Sequence, residues 1–107
     1  MTLEAYTKKT IKLVLDKYAN SIYYYMPVPA GYGAATLDYL GYCCGQGFAI
    51  EAKRPGGRPS QRQMQTIERI MLSGARVFVI DGTPDLDTVE DLDNWLGTVS
   101  RSKRKAA

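Results

Sequence analysis

Ile11, Val14, Leu15 and Tyr18 recur at helical spacing behind Thr2, a residue suited to N-capping, and predict a helix over 3–19. Lys8, Lys9, Lys12 and Lys17 lie mostly off this stripe. Glu4 stands two turns before Ile11, about 20° from it on the helix wheel, so this acid lies on or near the buried face. It either belongs to a site or complements the helix dipole from the first turn. Asn20-Ser21 breaks the helix, and Ile22-Tyr23-Tyr24-Tyr25-Met26 reads as an aromatic-rich strand followed by a loop containing Pro27, Pro29, Gly31 and Gly33. Residues 36–43 predict a second strand, which Cys44-Gly45-Gln46-Gly47 turns into a third as a hairpin.

In the third strand Phe48, Ile50 and Ala52 alternate with Ala49, Glu51 and Lys53, so period-2 geometry carries Glu51 and Lys53 onto one face. Pro55 ends the strand, and Gly56-Gly57 opens a turn flanked by Arg54 and Arg58. A second helix is expected from Pro59-Ser60 to Ser73, stopped by Gly74, with Ser60-x-x-Gln63 as a capping box and Met64, Ile67, Ile70 and Met71 as its core stripe. The apolar run Arg76-Val77-Phe78-Val79-Ile80 suits the middle of a sheet. Residues 85–96 predict a last helix with Val89, Leu92, Trp95 and Leu96 inward, and 101–107 a frayed polar tail. No repeat or interdomain linker interrupts the order helix, strand, hairpin, helix, strand, helix. The reading is one α/β domain over 1–107, of the mixed-sheet α+β kind.

Composition narrows the chemistry. A chain of 107 residues holds a modest core that a partner subunit would help. No apolar run approaches the roughly 20 residues a membrane span requires, so a soluble, intracellular (cytoplasmic) protein with no membrane partner is expected. The sequence contains no histidine, which removes Ser-His-Asp, Cys-His and His-metal chemistry together. Cys43 and Cys44, adjacent and alone, make neither a disulfide framework nor a zinc site. Catalysis is left to carboxylates, lysine, tyrosine or a metal held by oxygen.

The net charge of +3 is unevenly spread. Residues 1–80 carry ten Lys or Arg against five acids, residues 81–93 carry six acids and no base, and residues 101–105 add four bases. A basic body suits a polyanionic partner, with the acidic segment facing elsewhere. Antiparallel pairing across the hairpin makes Asp38 and Glu51 near neighbours, and two carboxylates that close repel unless a cation or shared proton intervenes. Without such a ligand, Glu51 and Lys53 are simply a charge pair on an exposed strand face. The glycine-rich loop lacks any phosphate-binding signature. Tyr23, Tyr25 and Tyr32 offer stacking surfaces for unpaired bases, although tyrosine in a half-buried strand also serves plain packing.

With acids on the first helix (Glu4), second strand (Asp38) and third strand (Glu51), and Lys53 two residues on, the chain resembles the restriction-endonuclease-like PD-(D/E)XK nucleases, whose core runs αβββαβ. It is most similar to their VRR-NUC (virus-type replication-repair nuclease) domains. The matching residues are Gly31-Tyr32-Gly33 before Asp38, the run Phe48-Ala49-Ile50-Glu51-Ala52-Lys53-Arg54-Pro55-Gly56-Gly57-Arg58-Pro59-Ser60, then Gln63 and Gly74. The likeness spans 2–81, with the helix at 85–96 as an addition. It implies an endonuclease dependent on Mg²⁺ or Mn²⁺ that hydrolyses DNA phosphodiester bonds. Asp38, Glu51 and the Ala52 backbone carbonyl would hold the metal, with Glu4 as a further matching acid, and Lys53 and Gln63 would complete the site.

Arg54, Arg58 and Arg62 would contact flanking phosphates. The likeness further implies a homodimer acting on branched DNA such as Holliday junctions or flaps in DNA repair, in a bacterial host's cytoplasm if the chain is viral, for instance from a phage. In one departure, Leu37 precedes Asp38 where the family usually has proline, a change at strand entry and not at a ligand. The Pro84-Asp85 pair is followed by no Glu-x-Lys strand and is set aside. Two other readings compete: a catalytically silent DNA-binding module of the same fold, and a protein-interaction adaptor using the acidic 81–93 segment.

Overall fold

A computed structural model describes residues 1–28 and 35–106 of the chain. Gly31-Tyr32-Gly33 lies outside the described residues, as do the side chains of Lys103, Arg104 and Lys105. The elements follow the expected order: α1 (Leu3–Lys17), β1 (Ile22–Tyr25), β2 (Tyr39–Cys43), β3 (Gln46–Ala52), α2 (Gln61–Leu72), β4 (Arg76–Ile80) and α3 (Val89–Ala106). The four strands form one mixed sheet in the order β1-β2-β3-β4, antiparallel except for the β3–β4 pair.

Local chemistry sets the boundaries. The Thr2 hydroxyl accepts from the Ala5 amide at 3.0 Å and caps α1. The hairpin turn is tighter than expected: Cys44 (φ 52°) and Gly45 (φ 87°) make a two-residue turn, and Gln46 already pairs with Cys43. Positive φ at both central residues is the type I′ geometry whose twist matches antiparallel strands. α3 starts at Val89, not 85, because Thr88 and Asp91 cap it reciprocally (Thr88 N to Asp91 Oδ2, 2.8 Å; Asp91 N to Thr88 Oγ1, 3.1 Å). It also runs on to Ala106, through the tail expected to fray. Lysine, arginine and alanine are good helix formers, and positive charge complements a helix C-terminus.

Helices pack on both faces of the sheet. Ile11 and Leu15 of α1 and Leu92 and Leu96 of α3 pack with Tyr39, Cys43, Phe48, Ile50, Ala52, Phe78 and Ile80. On the other face α2 places Ile67, with Ile70 beside it, over Ala49, Val77 and Leu37. Two expectations change here. β4 lies at the edge of the sheet, and its apolar run is explained by burial on both faces together with the Asp87 carboxylate, which accepts from Val79 N at 3.0 Å on its outer side. Met64 and Met71 are not core residues but stand 54% and 57% exposed. The buried face of α2 instead runs through Gln63, Thr66, Ile67 and Ile70, centred about 50° from Ile67 on the wheel and away from both methionines. That rotation aims Gln63 at the sheet.

Candidate active site

Register builds the centre of the site. Tyr39 pairs with Ile50, so Asp38 stands opposite Glu51 where β2 begins and β3 ends. Each carboxylate is held by the other strand's backbone. Asp38 N donates to Glu51 Oε1 at 3.2 Å, and Ala52 N donates to Asp38 Oδ2 at 2.8 Å. Strand geometry carries the Ala52 carbonyl to the same edge as its amide, toward Asp38. Leu37, which stands where the resembled family usually has proline, is buried against Ala49, Ile67 and Val77 and anchors the strand entry.

Gln63 joins the elements. Its Oε1 accepts from Lys53 Nζ at 2.7 Å and from Ser60 N at 2.9 Å, while its Nε2 donates to Glu51 Oε2 at 2.9 Å. The helix cap and the link to Glu51 and Lys53 are therefore made by one side chain. Lys53 Nζ also lies 3.4 Å from Glu51 Oε2. Glu51 is only 4% exposed. Burial and then the Asp38 charge push its carboxyl above the usual range, against the opposing pull of Lys53 and the Asp38 amide. Tyr39 points into the opposite core, where burial and then the charge of Asp38 push its phenol up to about 12.

Glu4 is exposed in the first turn of α1 and lies outside this hydrogen-bonded group. Lys8, one turn later, is the α1 residue that reaches Asp38, with Nζ 3.8 Å from Oδ1. Its position on the shoulder of the Ile11 stripe was the available signal. Among the described residues no group of three or more His, Cys, Asp or Glu gathers. The donors present still fit a hard divalent ion: two carboxylates meet, Asp38 Oδ1 accepts no hydrogen bond among the described residues, and Mg²⁺ keeps several waters around one or two carboxylates.

The basic loop is fixed by a residue the sequence reading did not single out. Asp81 is fully buried at the end of β4. Its Oδ2 accepts from Gly56 N (3.1 Å) and Arg58 Nη1 (3.3 Å), and its Oδ1 from Thr83 N (2.9 Å) and Thr83 Oγ1 (2.7 Å). Burial alone would raise this carboxyl, but the Thr83, Gly56 and Arg58 contacts together hold it below the usual range. An acid directly after a buried strand was the clue. The loop turns at Pro55-Gly56, with Gly57 N bonded to Arg54 O at 2.8 Å and Gly56 at φ 80°, as a type II turn requires. A Cβ on Gly57 would approach Arg54 O to 2.9 Å, so Gly57 has no room for a side chain.

Asp81→Ala is expected to cost on the order of 2–3 kcal/mol in urea unfolding, because it strands the Gly56 and Thr83 donors. Of the expected phosphate contacts, Arg54 and Arg62 are exposed, whereas Arg58 is shared between Asp81 and Asp85. Other acids of the 81–93 segment are also engaged within the fold: Asp87 with Val79 and Arg76, Asp91 with Thr88, and Asp93 with Lys17 and Tyr18. Asp85, Glu90 and Asp91 remain exposed.

The fold these elements define is mixed α+β with a restriction-endonuclease-like αβββαβ core. No family model and no curated protein matches the chain. Among solved structures, one described as a VRR_NUC domain has the same fold, with a TM-score of 0.65 at 21% identity, covering 91% of this chain and 97% of that one.

Proposed function

We propose that the chain is a divalent-metal-dependent DNA endonuclease hydrolysing phosphodiester bonds. The observation that carries this reading is the meeting of Asp38 and buried Glu51 with Lys53 and Gln63 at one end of the sheet, in a fold shared with a VRR_NUC domain. Asp38, Glu51 and the Ala52 carbonyl would hold Mg²⁺ or Mn²⁺. When bound, the ion supplies Lewis-acid stabilisation of charge developing on phosphate and lowers the pKa of water. Lys53 then places a point charge beside the reacting phosphate, and Gln63 fixes its ammonium relative to Glu51. Lys8 stands beside Asp38 on the α1 side.

Labelled duplex, flap, four-way junction and single strand, incubated with Mg²⁺, Mn²⁺ or EDTA, test the reading. It expects cleavage with metal, none with EDTA, and preference for a branched substrate. DNA binding without cleavage under every condition would favour the silent binding module instead. Arg54 and Arg62 are expected to contact phosphates. Arg54→Ala and Arg62→Ala should each weaken binding similarly across sequences and reduce the slope of log affinity against log salt by about one. Fluorescence anisotropy across a salt series measures both.

A further inference from the structure

We propose that the cleft beside Tyr23, Tyr25 and Tyr42 receives an unpaired nucleic-acid strand, its bases stacking on the tyrosines and its backbone running along α2 toward Asp38. The proposal deepens the nucleic-acid reading above and rests on it. Tyr23, Tyr25 and Tyr42 are 72%, 52% and 61% exposed, far more than packing would leave them. Pairing of Tyr23 with Tyr42 and of Tyr25 with Leu40 puts all three on the face that carries Asp38 and Glu51. α2 covers the β3–β4 side of that face and leaves the β1 side open.

The result is a cleft of about 570 Å³ between the tyrosines, Gly47 and the C-terminal end of α2. Gly47 keeps its floor low; a Cβ there would stand in ordinary contact with Ala75 at 3.5 Å and with the Tyr42 ring at 3.9 Å.

Charge favours a polyanion on this path. Arg62 and Arg69 lie two turns apart on one side of α2, and Arg69 with Thr66, Ile70 and Ser73 lines a hollow that adjoins the cleft through Ile70 and Ser73. Along the strand direction Tyr25, paired with Leu40, lies two residues from Asp38 and Tyr42 four, so the aromatic surface begins about 7 Å from Asp38 and extends to about 13 Å. Tyrosine faces stack on any base that is not already stacked in a duplex, and give affinity without sequence readout. This arrangement selects substrates in which a single strand leaves a duplex near the scissile phosphate.

Affinities of the full chain for labelled oligo-dT and for a blunt duplex, measured in EDTA, test this directly. Tyr23→Ala, Tyr25→Ala and Tyr42→Ala should each weaken single-strand binding about tenfold. Tyr25→Trp should restore it, and duplex affinity and circular dichroism should not change. Unchanged single-strand affinity, equal loss on duplex, or conversion of a dimer to a monomer by the alanine variants would overturn the proposal; the last would assign the face to a second copy of the chain. If tyrosine-dependent binding holds but no metal supports cleavage, the nuclease reading fails alone. Glu51-dependent cleavage with indifferent alanine variants would remove only the stacking surface.

Discussion

Glu51→Gln and Lys53→Ala are each expected to lower metal-dependent cleavage by about a thousandfold while leaving the fold and DNA affinity near those of the unaltered chain. Glutamine keeps the size of Glu51 and its ability to accept from the Asp38 amide, but removes the charge a divalent ion needs. Lys53→Ala removes the ammonium that Gln63 holds beside Glu51 and the electrostatic stabilisation it would give the transition state. Single-turnover cleavage with Mn²⁺, run beside anisotropy in EDTA, separates lost chemistry from lost binding. Activity within tenfold of the unaltered protein in both variants would remove the assigned roles.

The second large effect is on stability. A divalent ion at a hundred times its Kd should stabilise the native state by about 2.7 kcal/mol, which for a chain of about this size is a Tm rise of roughly 10 °C or more. The pH dependence has a definite sign. Burial and Asp38 raise the Glu51 pKa in the folded state, so the native metal-free protein holds this proton more tightly than the unfolded chain does. The resulting stabilisation is complete below the unfolded carboxyl pKa and is lost as pH rises through the folded value. Metal must displace that proton, so the metal-induced Tm rise should be small in mildly acidic buffer and large at neutral pH. Glu51→Gln should abolish the metal-induced rise and flatten the decline of metal-free stability with pH. Thermal melts with Mn²⁺ and with EDTA across pH check both.

Much of the arrangement was legible from residue order because it follows from short-range rules. Hairpin register brought Asp38 opposite Glu51, period-2 alternation put Lys53 beside it, and Ser60-x-x-Gln63 announced the cap that also reaches the site. The rest depended on tertiary packing. Met64 and Met71 fit a helical stripe as well as Thr66 and Gln63 do, and only the docking of α2 over Ala49 and Val77 chooses between them. Glu4 and Lys8 share one flank of α1, so the helix wheel alone did not say which would approach Asp38. Asp81 counted only as the first of the six acids in 81–93, whereas its place after β4 buries it beneath the Gly56-Gly57 loop. β4 looked central because apolar burial on two faces has the same pattern whether or not both edges are paired.

Anomalous scattering from crystals grown with Mn²⁺ tests the shared ion site most directly. The expected result is a peak about 2.2 Å from carboxylate oxygens of both Asp38 and Glu51, within reach of the Ala52 carbonyl, and absent in Glu51→Gln. Metal-dependent cleavage by a protein whose only manganese lies elsewhere, with Asp38 and Glu51 still bonded as in the metal-free fold, would contradict it.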